Sequence, residues 1–223
     1  MLCLHGGGAG AGTGGQIHSY LGSLLPADAV VLCPSVPRQV GNAWDEASNH
    51  RYVEELLRHV TRQVPVDPDR VYVCGHSMGG WGTFSMSADF LDRWAACAAF
   101  SGGFGSTQFE AYRNTPFYLC HGDKDESMCY VGYSRAADAM FKKLGNGYVH
   151  AYDEFPGGHG VPLELRKKGL SWMLAKTRPR CPAQVIVLKD LAYYGNFTIG
   201  SGALAWIALD TATGPDRVAL PRS

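Results

Sequence analysis

The sequence predicts an α/β fold, with a mostly parallel sheet covered by helices on both faces. Three observations carry that expectation. Short apolar runs with strand character alternate with helical stretches along most of the chain, a pattern that needs crossover connections and therefore parallel strands. The runs end in loops rich in Gly, His, Ser and Asp, so chemistry-bearing groups gather where such sheets bind ligands, at the C-terminal ends of their strands. At 223 residues, with 46% hydrophobic and 18% charged, the chain has the length and composition of one ordinary domain with a substantial core.

Residues 1–4 read as a first strand, running into the glycine loop His5-Gly6-Gly7-Gly8, with a short helix over 16–25. Residues 29–33 read as a second strand, stopped by Pro34 and Pro37. A loop over 35–45 holds Trp44, and 46–64 is an amphipathic helix carrying Tyr52, Val53, Leu56, Leu57 and Val60 on one side. The strand 70–74 and a helix over 81–90 flank Gly75-His76-Ser77-Met78-Gly79-Gly80. Strands over 95–100, 116–120 and 148–155 follow, with helices over 128–144 and 161–176. Gly145-Asn146-Gly147 stops the first of these helices and Pro162 opens the second.

From about 179 the pattern changes. Residues 184–189 and 203–209 read as strands with no helix between them, which suggests a β-hairpin appendage. The boundaries expected are a catalytic domain over 1–178 and an appendage over 179–223, whose last eight or so residues look loose. Lys+Arg and Asp+Glu both total 20, so no charge excess points to nucleic acid or an anionic membrane. Arg166-Lys167-Lys168 reads as a solvated helix face. Seven cysteines are present, an odd number without CxxC or Cys/His metal spacing. Cys3, Cys33, Cys74, Cys97 and Cys120 lie in strand-like runs, where a thiol acts as a small hydrophobe. Reduced thiols, and the lack of a signal-like or membrane-length apolar run, point to the cytoplasm. A chain that starts directly on a core strand reads as a fragment or truncated start.

Gly75-His76-Ser77-Met78-Gly79, between strand and helix, has the spacing of a nucleophile elbow. Such a turn crowds the backbone where a Cβ would clash, and it aims the Ser77 hydroxyl out of the sheet edge. Serine needs a base in contact, and the base needs an anion to fix its tautomer. His159 in Gly157-Gly158-His159-Gly160 is the candidate base, and Asp125, ahead of Asp123, is the candidate anion. The order Ser77, Asp125, His159 is that of hydrolases with an elbow. Met78 N–H and an N–H from Gly7 or Gly8 are the expected oxyanion donors. His5 and His121 are expected to brace loop backbone, and His76 to pack beside the nucleophile or line the pocket. Trp44, Trp81 and Phe104 are candidate apolar walls, with a core role as the alternative for each. Gly10-Ala11-Gly12-Thr13-Gly14-Gly15 formally matches a dinucleotide loop, but the next strand ends Cys33-Pro34-Ser35, without the acid such a site needs. No cofactor or metal is expected.

With Gly75–Thr83, residues 92–96, Ser101-Gly102-Gly103, His121–Asp125 and Gly157–Gly160, the chain resembles the α/β-hydrolase superfamily over residues 2 to about 176. Within it the resemblance is to the esterase-like group: phospholipase/carboxylesterases, dienelactone-hydrolase-like and depolymerase-like esterases, and prolyl-oligopeptidase-like catalytic domains. The resemblance implies an α/β-hydrolase fold lacking its first strands, a Ser77–His159–Asp125 triad, and cleavage of small carboxylic esters through an acyl-enzyme without a cofactor. Dienelactone hydrolases proper carry Cys at the position of Ser77, so that activity is not carried over. Only a short stretch separates Gly102 from Pro116, where lipases of this superfamily insert a lid, so an open cleft for short or soluble esters is expected. The competing readings are a prolyl-oligopeptidase-like peptidase, an acyl-thioesterase or acyltransferase, and a non-catalytic binding protein of the same fold.

Overall fold

In the computed structural model, the described residues are 1–7, 12–37, 43–90, 93–105, 109–126, 131–180, 182, and the backbone of 184–186 and 217–219. Five parallel strands form the main sheet in the order β1 (Leu2–Leu4), β2 (Tyr72–His76), β3 (Ala96–Phe100), β4 (Phe117–Gly122) and β5 (His150–Phe155). Among the described residues, five α-helices accompany them: α1 (Gly14–Leu21), α2 (Ala47–Gln63), α3 (Met78–Asp89), α4 (Gly132–Leu144) and α5 (Leu163–Leu174). The expected alternation of strands and helices, and the parallel sheet, are therefore observed.

Alternate strand residues divide between two cores, as the period-2 geometry of a strand requires. Leu2, Leu4, Val73, Cys97, Ala99, Phe117 and Leu119 meet Val53 and Leu57 of α2, Phe84 and Met86 of α3, and Ala137 and Phe141 of α4. Cys3, Tyr72, Cys74, Ala96, Ala98, Phe100, Tyr118 and Cys120 meet Ile17 and Leu21 of α1, and Leu170 and Met173 of α5. Both faces are covered, so the central strands are apolar throughout rather than alternating, as in β3, whose five residues are all buried. Cys3, Cys74, Cys97 and Cys120 are buried free thiols and Cys33 is half-buried, while Cys129 and Cys181 lie outside the described residues.

Two expectations need correction. Residues 29–33 do not form a strand: only Leu32 bridges to Leu2, with Cys3 N–H donating to Leu32 C=O at 2.8 Å and Leu32 N–H to Met1 C=O at 2.8 Å. Pro34 ends the pairing, and the segment turns inward, where the Cys33 carbonyl lies so close to Gly14 that a Cβ there would sit 1.8 Å from it. The bridge still marks the topology. It lies on the far side of β1 from β2, so the chain order reverses between β1 and β2, the kind of point beyond whose strand ends open α/β sheets bind ligands.

The second correction concerns the tail. Gln184–Ile186 (β6) pairs antiparallel with Arg217–Ala219 (β7), within the residues expected to be loose. The expected strand over 203–209 lies outside the described residues. Ahead of β6, Arg178 and Arg180 both bind the carboxylate of Asp69, just before β2, with Arg178 at 3.0 Å. Among the described residues no helix is long and apolar enough to cross a membrane.

Candidate active site

The elbow is a backbone construction before it is a side-chain one. Ser77 sits between β2 and α3 with φ 59° and ψ −120°, a conformation that costs a side-chain-bearing residue about 1–3 kcal/mol. Two glycines make the turn sterically possible. A Cβ on Gly75 would lie 2.2 Å from the Gly79 carbonyl oxygen, and one on Gly79 would lie 2.0 Å from that of Leu4. Ser77 N–H donates to Phe100 C=O at 2.9 Å, and Trp81 N–H to Ser77 C=O at 3.1 Å, which ties the turn to β3 and starts α3. Met78, next in chain, opens α3, whose first-turn N–H groups have no intrahelical acceptor and carry the positive end of the helix dipole.

The glycine loop after β1 runs against this turn. A Cβ on Gly6 would lie 3.0 Å from Ser77 Cβ, and Gly7 has φ 90°, which favours glycine. His5 fixes the loop as expected: its Nδ1–H donates to Gly6 C=O at 2.8 Å, and its Nε2 accepts from Val36 N–H at 3.1 Å. Burial lowers the His5 pKa, which keeps the neutral ring that this pairing needs. Gly8 lies outside the described residues.

His159 follows β5, and its Nδ1–H donates to Asp125 Oδ2 at 2.7 Å. Asp125, after β4, is buried, while the His159 side chain keeps 35% of its exposure, an arrangement that shields the anion and leaves the base reachable. Asp123 takes a different part: its Oδ1 accepts from Gly157 N–H at 3.0 Å, and Lys124 N–H donates to Gly157 C=O at 2.8 Å. Together these clip the histidine loop to the end of β4. A Cβ on Gly122 would meet the Gly158 carbonyl oxygen at 2.2 Å, so the clip has no slack.

His121 does more than brace backbone. Fully buried, it donates Nε2–H to the same Asp125 oxygen at 2.9 Å and pairs through Nδ1 with Ser134 Oγ at 2.7 Å. The sequence places His121 four residues before Asp125, but only the turn at 122–124 brings the ring back onto the carboxylate.

The candidate walls separate. Trp81 and Phe104 are half-buried and meet through Tyr133 at the start of α4, with ring centroids 4.9 Å and 5.8 Å from the tyrosine. Tyr133 carried no sequence signal beyond helix periodicity. Trp44 is not a wall. It is fully buried, donates Nε1–H to His5 C=O at 2.9 Å and packs where Gly82 leaves room, so it supports the glycine loop from behind. Nor does His76 stand free as a wall: its Nε2–H donates to the His159 carbonyl at 2.9 Å.

A second Ser-His-Asp arrangement lies away from this site. His50 on α2 contacts Asp89 through Nδ1 and Ser85 Oγ through Nε2 at 3.2 Å. Ser85 is in mid-helix, where backbone N–H groups serve the helix ladder, so no donors are available for an oxyanion. The arrangement joins α2 to α3.

The family model "Dienelactone hydrolase family" matches residues 33–161, more than half of the chain and all three of Ser77, Asp125 and His159. The chain belongs to the dienelactone hydrolase family. A probable carboxylesterase SOBER1-like protein of Arabidopsis thaliana is 27% identical over 149 residues, covering 63% of this chain and 56% of that protein. The chain thus spans about half the length of this curated relative. The crystal structure of Arabidopsis thaliana SOBER1 superposes with a TM-score of 0.62 at 23% identity, covering 77% of this chain and 95% of that one. Zea mays acyl-protein thioesterase 2 gives 0.61 at 17% identity, covering 78% and 91%. At these identities the likeness shows a shared α/β-hydrolase fold.

Proposed function

We propose that this family member is a serine hydrolase that cleaves carboxylic esters through an acyl-enzyme. The observation that carries the reading is one shared sheet edge: a left-handed Ser77 at a helix N-terminus, and a His159–Asp125 couple hydrogen-bonded at 2.7 Å. The ring of His76, the serine's neighbour, lies 4.8 Å from the ring of His159, so the two halves meet.

In the proposed cycle, Ser77 Oγ attacks the acyl carbonyl as its proton passes to His159 Nε2. Asp125 holds the imidazole in the Nδ1–H tautomer and stabilises the imidazolium. The N–H groups of Met78 and Gly7 receive the oxyanion, each contributing about 3–4 kcal/mol to the transition state. His159 then protonates the departing alkoxide, and a water deprotonated by His159 releases the acid and restores Ser77. The half-buried Trp81, Phe104 and Tyr133 form the apolar wall, and an open cleft favours short acyl chains. The curated relative's carboxylesterase name supports the reaction class.

The test is a fluorophosphonate probe with mass-spectrometric site assignment. Ser77 is expected to carry the label and Ser85 none, and Ser77→Ala to lose label and turnover while staying folded. A folded wild-type protein that takes no label overturns the reading. Among p-nitrophenyl esters, acetate and butyrate should exceed palmitate in kcat/KM, and a palmitate preference overturns the open-cleft part alone.

A further inference from the structure

The loop that carries His159 contains Gly157, Gly158 and Gly160, residues whose backbone freedom works against a fixed imidazole. Asp123, Lys124 and Gly122 clip its first half to β4. Its second half is held from the opposite side of the site. His76 Nε2–H donates to the His159 carbonyl at 2.9 Å, and the two rings pack at 4.8 Å. Behind His76 stands Tyr20 of α1, ring to ring at 4.7 Å. The Tyr20 hydroxyl accepts from Val161 N–H at 3.3 Å, two residues beyond His159, and the Arg166 guanidinium covers the Tyr20 ring at 4.1 Å while also donating to the Tyr20 carbonyl.

We infer that His76 is a positioning residue for His159, acting with Tyr20 as a brace that fixes the carbonyl of residue 159 and, through it, the imidazole between Asp125 and Ser77. The brace is made from the residue adjacent to the nucleophile, so serine and base are referenced to each other directly rather than through the sheet. Its protonation state suits the task. Burial holds the His76 pKa down to about 4, so near neutral pH the ring keeps one N–H for the carbonyl and adds no positive charge beside a base that must itself become cationic. The inference rests on the serine-hydrolase reading, and it differs from a pocket-wall role in which His76 would touch substrate.

Three variants test it on the full chain: His76→Phe keeps a ring and loses the donor, His76→Gln keeps a donor at a similar reach, and Tyr20→Phe removes the hydroxyl that meets Val161. For p-nitrophenyl butyrate, His76→Phe should lower kcat by about 10- to 100-fold, the scale of a misplaced catalytic group, with KM within about twofold of wild type. His76→Gln should recover most of that loss, and Tyr20→Phe should show a smaller fall of the same kind. Amide hydrogen exchange over 156–161 should speed up in His76→Phe and stay near wild type in His76→Gln. A raised KM with unchanged kcat would instead make His76 a substrate contact and overturn the inference. Equal losses in the Phe and Gln variants, or unchanged loop exchange, overturn it as well. A wild-type protein inert to the fluorophosphonate probe overturns the hydrolase reading and the positioning role with it, whereas an active wild type with an equally active His76→Phe overturns the positioning role alone.

Discussion

At the scale of single residues, Ser77 concentrates the tension in the fold. Its φ of 59° opposes what any residue with a Cβ prefers, and the turn persists because Gly75, Gly79 and the Phe100 carbonyl leave it no alternative. Ser77→Ala keeps the strain and removes the hydroxyl. Ser77→Gly removes both, and should be about 1 kcal/mol more stable than Ser77→Ala in urea unfolding, after allowing for glycine's larger unfolded-state entropy. Equal stability of the two variants would mean that the turn is relaxed. The candidate triad was singled out by position in the string: Ser77 between Gly75 and Gly79, His159 between Gly158 and Gly160, and Asp125 three residues past Gly122, each beyond a strand. His121 and His76 were not legible in the same way. Each also neighbours a glycine, but the partners of His121 are set by how the β4–α4 connection turns back on itself, and the partner of His76, the carbonyl of His159, only when loops from different strands converge.

At the scale of elements, the glycine loop after β1 shows how a site borrows rigidity. His5, Val36 and Trp44 come from three separate stretches and meet on one loop backbone. Trp44→Phe keeps an aromatic ring and deprives the buried His5 carbonyl of its donor, at a cost of about 1–3 kcal/mol. It should also lower kcat, because the N–H of Gly7 is set by that loop. Val53→Ala removes packing from the same core on α2 and should lower the melting temperature without lowering kcat. Equal kcat in both variants would detach the loop from the tryptophan. Trp44 also shows the limit of pattern reading: an indole in a loop has no periodicity to tell core from cleft, and only the space left by Gly82 decides. The helices were legible within a few residues, α2 from its apolar stripe and α4 and α5 from the glycine stop and the Pro162 start. The edge segment at 29–33 was not, because apolar composition alone does not supply a second row of backbone partners.

At the scale of the whole molecule, His76 and Asp69 each tie stability to pH, in windows of their own, beside the same-signed contributions of buried His5 and of Glu154 paired with Arg135. His76 is held neutral by burial with a pKa near 4, against about 6.5 in an unfolded chain. The unfolded state therefore binds the proton first, and stability should fall as pH drops from about 6.5 to about 4, then level off with respect to this group. Asp69 works in a lower window. Its hydrogen bond from Arg180, aided by Arg178, holds its pKa below the ordinary carboxylate value, so its contribution is present above about 4 and is lost as pH falls further. Urea midpoints between pH 7 and 3 should show both falls. His76→Gln should make the upper fall smaller, and Asp69→Asn the lower one. An unaltered upper slope in His76→Gln would assign that window to another group.

Gly80 of α3 and Gly102 after β3 touch so closely that a Cβ on either would stand 2.6 Å from the backbone of the other. A methyl group on one cannot be accommodated by a change at the other, since neither has a side chain left to shrink. The seam between elbow helix and central strand is thus one where a single added methyl group must move backbone. Any change tolerated near this seam has to fall on residues that still carry a side chain to trade, such as Trp81, whose ring a Cβ on Gly103 would meet at 2.6 Å.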